Sequence, residues 1–279
     1  MPLLLMRESL REERNIDYTL VLNNYKMKTP RRYIASIWVG TLLIGASCSS
    51  SLAPQPSGKS ISPQATDMPN ESPTTDPISY LALGDSYTIG EGVPNQETYP
   101  VLLTKLLAAK GISISSPKVI ATTGWTTAEL QQGIQQAGIE GNRYELVTLL
   151  IGVNNQYRGL SLESYRQELS ELLDQAIAFA DGKTHRVKVI SIPDWSVSDF
   201  AKQQGVDKEK VSSEIDAFNA SKQEICLQRS VYYIDITNEY RQIGHQPEHL
   251  VEDGLHPSGK IYASWANQLL PEVHSSLGY

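Results

Sequence analysis

Five short runs of aliphatic and β-branched residues recur along the chain, at 78–83, 118–121, 146–151, 187–192 and 232–236. None shows the polar alternation of a half-exposed strand, so each reads as a strand buried on both faces. Helix-patterned sequence separates one run from the next. Strands that alternate with helices cannot pair as hairpins, and the pattern predicts a parallel sheet covered on both sides, an α/β fold.

The helical stretches carry their own boundary signals. Residues 99–110 place Val101, Leu102, Leu106 and Ala109 at helical spacing and stop at Gly111. Thr126 and Glu129 have capping-box spacing before Leu130 and Ile134. Ser161 caps a longer stretch that puts Tyr165, Leu169, Leu172, Leu173 and Ile177 on one stripe and ends at Asp181-Gly182. A fourth helix is expected over 208–226, and a last one starts at Ser258 and runs through Trp265 and Leu269.

The first 77 residues belong to none of this. Residues 27–48 hold Lys28, Arg31 and Arg32, then an uncharged apolar run at 34–46, then Ser47-Cys48. A basic start, an apolar stretch too short to span a bilayer and a small-residue end make a secretory signal. Cys48 sits where a bacterial lipoprotein signal carries its lipidated cysteine, although Gly45 replaces the usual branched aliphatic three residues earlier. The expectation is an exported envelope protein held to the membrane by a lipid on Cys48. Met27 is a natural start for that signal, and residues 1–26 read as a misassigned start or a long leader. Residues 49–77 are rich in Ser, Pro and Thr, cannot bury enough apolar surface to offset their ordering, and read as a flexible tether. The folded domain is expected over 78–279. With Cys48 acylated, Cys226 has no disulfide partner, and its helical spacing from Ile215, Phe218 and Ile225 predicts an inert core position. A formal net charge of -7 argues against a general nucleic-acid binder.

Polar residues follow the predicted strands where an open parallel sheet forms its crevice. Ser86 in Gly84-Asp85-Ser86 follows the first run, and Gly124 follows the second. Gly152-Val153-Asn154-Asn155 follows the third, and Asp253-Gly254-Leu255-His256-Pro257 precedes the last helix. Together they match the needs of acyl transfer. A serine hydroxyl needs a base, for which His256 is the candidate, and the base needs an acceptor to fix its tautomer, for which Asp253 is the candidate. An oxyanion needs donors already aimed, which the Gly124 N–H, the Asn154 amide and the Ser86 N–H can supply. Each piece alone has an ordinary reading as a turn or surface residue. Their joint order along the chain is what carries the chemistry.

This order of blocks resembles the SGNH, or GDSL, hydrolases, which present Ser, Gly, Asn and His in the same sequence. The resemblance runs from Tyr80 to Trp265. It implies a flavodoxin-like three-layer α/β/α sandwich on a five-stranded parallel sheet. It also implies Ser86 as nucleophile, His256 as base, Asp253 as its orienter, and Gly124 and Asn154 as oxyanion donors. One departure is visible: the family's third block ends in Asp, and Asn155 stands there instead.

The expected activity is a serine esterase cleaving carboxylic esters without metal or cofactor. Candidates to line the substrate crevice are Asp85, Tyr87, Trp125, Asn155, Tyr157 and Trp195. Aromatic platforms suit sugars, which favours de-O-acylation of a carbohydrate. A lysophospholipid or an acyl thioester is the alternative within the family, and a non-catalytic binding lipoprotein is the alternative outside it. His245-Gln246-Pro247-Glu248-His249 matches a zinc-peptidase spacing. That motif requires a continuous helix, and Pro247 interrupts it.

Overall fold

The computed structural model describes residues 76–279. The signal-like stretch 27–48, Cys48 and the tether up to residue 75 lie outside the described residues. No described helix is long and apolar enough to cross a membrane.

The five predicted runs form five strands: β1 Tyr80–Gly84, β2 Lys118–Ala121, β3 Leu146–Leu150, β4 Val187–Ile190 and β5 Tyr232–Ile234. They make one parallel sheet in the order β2-β1-β3-β4-β5. This is the flavodoxin-like order, in which the winding direction reverses between β1 and β3. A crevice opens there at the carboxyl ends of the strands, because the connections leave β1 and β3 in opposite directions.

β1, β3 and β4 are buried along their whole length. The outer strands are not: Val119 on β2 is 37% exposed and Tyr232 on β5 is 46% exposed. Burial on both faces therefore holds for the three central strands and fails at the two edges, where no neighbour covers the outer side. Inside the sheet, Thr148 of β3 is satisfied by two tyrosine hydroxyls, Tyr80 at 3.0 Å and Tyr99 at 3.2 Å, as buried polar groups must be.

Nine helices surround the sheet among the described residues: α1 Ser86–Ile89, α2 Tyr99–Ala109, α3 Thr127–Gln136, α4 Val153–Tyr157, α5 Leu162–Phe179, α6 Asp199–Gln203, α7 Lys208–Gln228, α8 Thr237–Ile243 and α9 Gly259–Ser276. α2 packs on α9, while α5 packs between α3 and α7, giving a layer on each side. The long helices begin and end where their caps predict. Thr126 and Glu129 exchange both capping-box bonds, and Ser161 caps α5. The four short helices α1, α4, α6 and α8 carry no length of periodic sequence, and none of them is among the helices expected from the sequence. Cys226 is buried in α7, and burial pushes its thiol up to about 11, consistent with an unreactive core position. Pro247–His249 is a single 3-10 turn.

Candidate active site

β1 ends at Gly84, where no side chain fits. A Cβ on Gly84 would lie 2.1 Å from the Thr88 hydroxyl and 2.3 Å from the Leu150 carbonyl. The chain turns at once into α1, with Asp85 as its N-cap: one carboxylate oxygen accepts from the Tyr87 N–H at 3.0 Å. The first helix was expected over 99–110. Ser86 instead occupies the first helical position, where a backbone N–H has no partner within the helix. A four-residue helix adds little dipole, so the location of that N–H matters more than the helix field.

The loop that carries Asp253 and His256 arrives from the far end of the chain. Leu250 and Pro257 form an antiparallel bridge, and the Val251 N–H donates to the His256 carbonyl at 2.9 Å. Within this closed turn, one oxygen of Asp253 accepts from the N–H groups of Leu255 and His256, at 2.8 and 2.9 Å. The other oxygen meets His256 Nδ1 at 2.5 Å. The opposite ring nitrogen, Nε2, lies 3.0 Å from the Ser86 hydroxyl. Partial burial alone would raise the Asp253 carboxyl, but the bonds from His256 and the two backbone N–H groups hold it below its ordinary value. A carboxylate that stays ionised fixes the tautomer that leaves Nε2 free to accept a proton. Tyr87, 2% exposed, backs the imidazole with ring centroids 5.6 Å apart.

The two other expected donors flank the serine. Gly124 follows β2, beside β1, with φ of +84°, a conformation that favours glycine. Its carbonyl accepts from Arg158 Nη2 at 2.6 Å, while Arg158 Nη1 bonds Glu129 at 3.0 Å. Arg158 thereby fixes the peptide that follows Gly124, a role that no sequence signal announced. Asn154 follows β3 on α4. Its amide donates one hydrogen to the Trp125 carbonyl at 2.9 Å, leaving the second hydrogen for a ligand. Ser86, Gly124, Asn154 and His256 all line one cavity of about 180 Å³.

The residues expected to line the crevice divide. Tyr87, Tyr157 and Trp195 do border this cavity, joined by Val153, Phe200 and Leu255. Trp125 does not: its ring lies against Gly133 on α3, where a Cβ would come within 2.2 Å of it. Asp85 and Asn155 are fully buried beneath the turns. Asn155 accepts from the Thr127 N–H at 3.0 Å and donates to the Thr127 hydroxyl at 2.7 Å. That hydroxyl donates in turn to Glu168. The carboxylate missing from the third block is thus supplied to the same threonine from α5. The loop's supporting bonds survive because the amide donates where an Asp would accept.

Lys222 on α7 is the residue the sequence hid most completely. It is fully buried, and its ammonium donates to the carbonyls of Ile151 and Ile190, at 2.9 Å each, at the carboxyl ends of β3 and β4. Burial pulls it down to about 7, against the pull of Cys226 and Asp85. Burial likewise pushes Asp85 up to about 7, against the Tyr87 N–H and the Lys222 charge. The second oxygen of Asp85 has no hydrogen-bond partner among the described residues. A helical polar residue in an otherwise mixed stripe gives no sign of such burial.

Solved structures share this architecture at low identity. A psychrotrophic esterase, EstA, from Pseudoalteromonas sp. aligns with a TM-score of 0.56 and 16% identity, over 72% of this chain and 99% of its own. TesA aligns at 0.54 and 20% identity, over 72% of this chain and 98% of its own. A lipase/acylhydrolase from Enterococcus faecalis aligns at 0.57 and 19% identity, over 71% and 96%. At these identities the likeness establishes the fold. No curated protein sequence matches the chain. The family model of the GDSL-like lipases and acylhydrolases is matched by residues 82–263, from the middle of β1 into α9. That span takes in every turn that borders the cavity and more than half of the chain, and on it this protein belongs to the GDSL-like lipase/acylhydrolase family.

Proposed function

We propose that the protein is a serine esterase in which Ser86 is the nucleophile, His256 the general base and Asp253 the group that orients it. The observation that carries this reading is the continuous relay from Asp253 through His256 to the Ser86 hydroxyl, at 2.5 and 3.0 Å. Ser86 Oγ bonds to the ester carbonyl carbon as its proton passes to His256 Nε2. The Gly124 N–H, the Asn154 amide and the Ser86 N–H face the oxygen that gains charge. The carbon–oxygen bond to the alcohol then breaks, and His256 returns the proton to that oxygen. Water repeats the cycle on the acyl-enzyme, with His256 taking its proton, and Ser86 is released.

The acyl group we favour is small. The cavity holds about 180 Å³, below the roughly 300–1,000 Å³ of pockets that bury drug-sized ligands. This supports a short-acyl ester over a lysophospholipid. For the alcohol half we retain the O-acylated carbohydrate, supported by an aromatic residue beside the His256 loop: Phe200 borders the cavity, and its N–H donates to the Gly254 carbonyl at 2.9 Å. Residues 27–48 support the further proposal of export and membrane anchoring through Cys48.

A fluorophosphonate probe tests the central claim. The wild-type protein is expected to label on Ser86 and turn over p-nitrophenyl acetate, while Ser86→Ala does neither and remains folded by circular dichroism. Undiminished turnover in that variant rejects the assignment. Comparing acetylated oligosaccharides with acyl thioesters and lysophospholipids then decides the leaving group.

A further inference from the structure

A second cavity of about 350 Å³ lies next to the catalytic one. Val206 and Val211 line it together with Gln156, Asp207, Lys210 and Glu214, and most of its lining surface is apolar. The two cavities have Tyr157 and Trp195 in common. These rings meet edge to face, with centroids 5.3 Å apart, and form the wall between the spaces.

The two halves of that wall are held differently. Trp195 is 5% exposed, and its indole N–H donates to Gln156 at 2.8 Å. Gln156 is itself tied to Glu214 at 2.7 Å. Tyr157 is 55% exposed, ends the five-residue α4, and is followed closely by Gly159 with φ of +68°. Its ring is the part of the wall that a single substitution can remove without opening the core.

The chemistry decides which half of a substrate meets this wall. His256 must protonate the departing alcohol, so the alcohol lies on the His256 side of the carbonyl. The acyl chain then leaves on the side away from His256, toward the part of the lining that Tyr157 supplies. Tyr157 stands three residues beyond Asn154 on the same short helix, a spacing that places the two side chains on one face. An acyl chain leaving the carbonyl in this direction reaches the Tyr157 ring before it reaches the second cavity.

We propose that Tyr157 is the specificity-determining residue that limits acyl-chain length, by closing the catalytic cavity off from the apolar space behind it. This rests on the esterase reading above. Removing the ring joins the two spaces and admits longer chains, and a phenylalanine preserves the limit because bulk rather than the hydroxyl sets it.

The experiment measures kcat/KM on p-nitrophenyl acetate, butanoate and octanoate for the full chain, for Tyr157→Ala and for Tyr157→Phe. The readout is the octanoate-to-acetate ratio, which is insensitive to any loss common to all substrates. The wild type and Tyr157→Phe are expected to give a low ratio. Tyr157→Ala is expected to raise it by about tenfold or more, the scale set by a few methylenes in an apolar pocket. A ratio in Tyr157→Ala equal to that of the wild type overturns the proposal, as does a wild type that already takes octanoate as readily as acetate. Labelling of wild-type Ser86 by a fluorophosphonate separates the two levels. Labelling with an unchanged ratio rejects the chain-length role alone, and absence of both labelling and turnover rejects the esterase reading with it.

Discussion

The buried ammonium of Lys222 holds the carbonyl of Ile151 at 2.9 Å, one residue before the turn that presents Asn154. The same group holds Ile190 on the neighbouring strand. Lys222→Met leaves both carbonyls unpaired and Asp85 without its nearby positive charge. Leaving a buried polar group without its hydrogen bond costs about 1–3 kcal/mol, and a loss of at least that size is expected in urea unfolding. Turnover should fall more than KM rises, because the disturbed turn carries Asn154, the proposed oxyanion donor. A variant as stable and active as the wild type would show that the amine is dispensable.

Asp85 gives stability a pH signature. Its carboxyl is raised in the folded protein to about 7, so the folded state holds the proton more tightly than the unfolded chain. That contribution is complete below the ordinary value near 3.8 and is lost as pH rises to about 7. Asp85→Asn keeps an oxygen to cap α1 but cannot titrate. Urea melts at pH 4, 5.5 and 7 should show the wild type losing stability relative to the variant across this window. Parallel curves for the two proteins would contradict the shift.

Asn154→Ala removes the side-chain amide beside the serine. Losing one preorganised donor typically costs on the order of a hundredfold or more in kcat, and that loss is expected on p-nitrophenyl acetate. A change below about threefold, well under 1 kcal/mol, would take Asn154 out of the oxyanion site.

Asp253→Asn offers His256 Nδ1 an amide that need not accept, so the imidazole can adopt the wrong tautomer. The side chain of Asp253 is 43% exposed, and water can partly take its place. A fall in kcat on the order of a hundredfold is expected, with KM little changed. A kinetic profile like the wild type's would show that Asp253 only shapes the loop.

Asn155→Asp restores the family's usual residue but meets Glu168 across one hydroxyl. Thr127 has a single proton and already donates it to Glu168. The new carboxylate would be buried with an unmade bond, costing about 1–3 kcal/mol. Adding Glu168→Gln should recover part of that loss, because the threonine proton is then free to turn. A double-mutant cycle in urea measures this coupling, and additivity of the two changes would rule it out.

The central strands and long helices were legible because their causes are local. Aliphatic runs such as 146–151 have no other low-energy use than a doubly buried strand, and the Thr126 and Glu129 caps satisfy amides within three residues. The edge exposure of Val119 and Tyr232 was not legible, since an edge is defined by the absence of a neighbour. Short helices such as α4 are held by the turns around them rather than by propensity. Trp125 and Asp85, both expected in the crevice, face inward for reasons of packing that no residue type reveals.

Order along the chain was enough to nominate Ser86, Gly124, Asn154, Asp253 and His256, because the chemistry needs those groups and each follows or precedes an element it can be placed on. Folding alone decided that the His256 ring comes to 3.0 Å from a hydroxyl 170 residues away. It also decided that Lys222 stitches two strand ends beneath the site, that Glu168 replaces a missing carboxylate, and that Tyr157 divides two cavities. Those relationships join residues brought together only by the pairing of parallel strands and the turns at their carboxyl ends, and distance in space leaves no trace in a linear order.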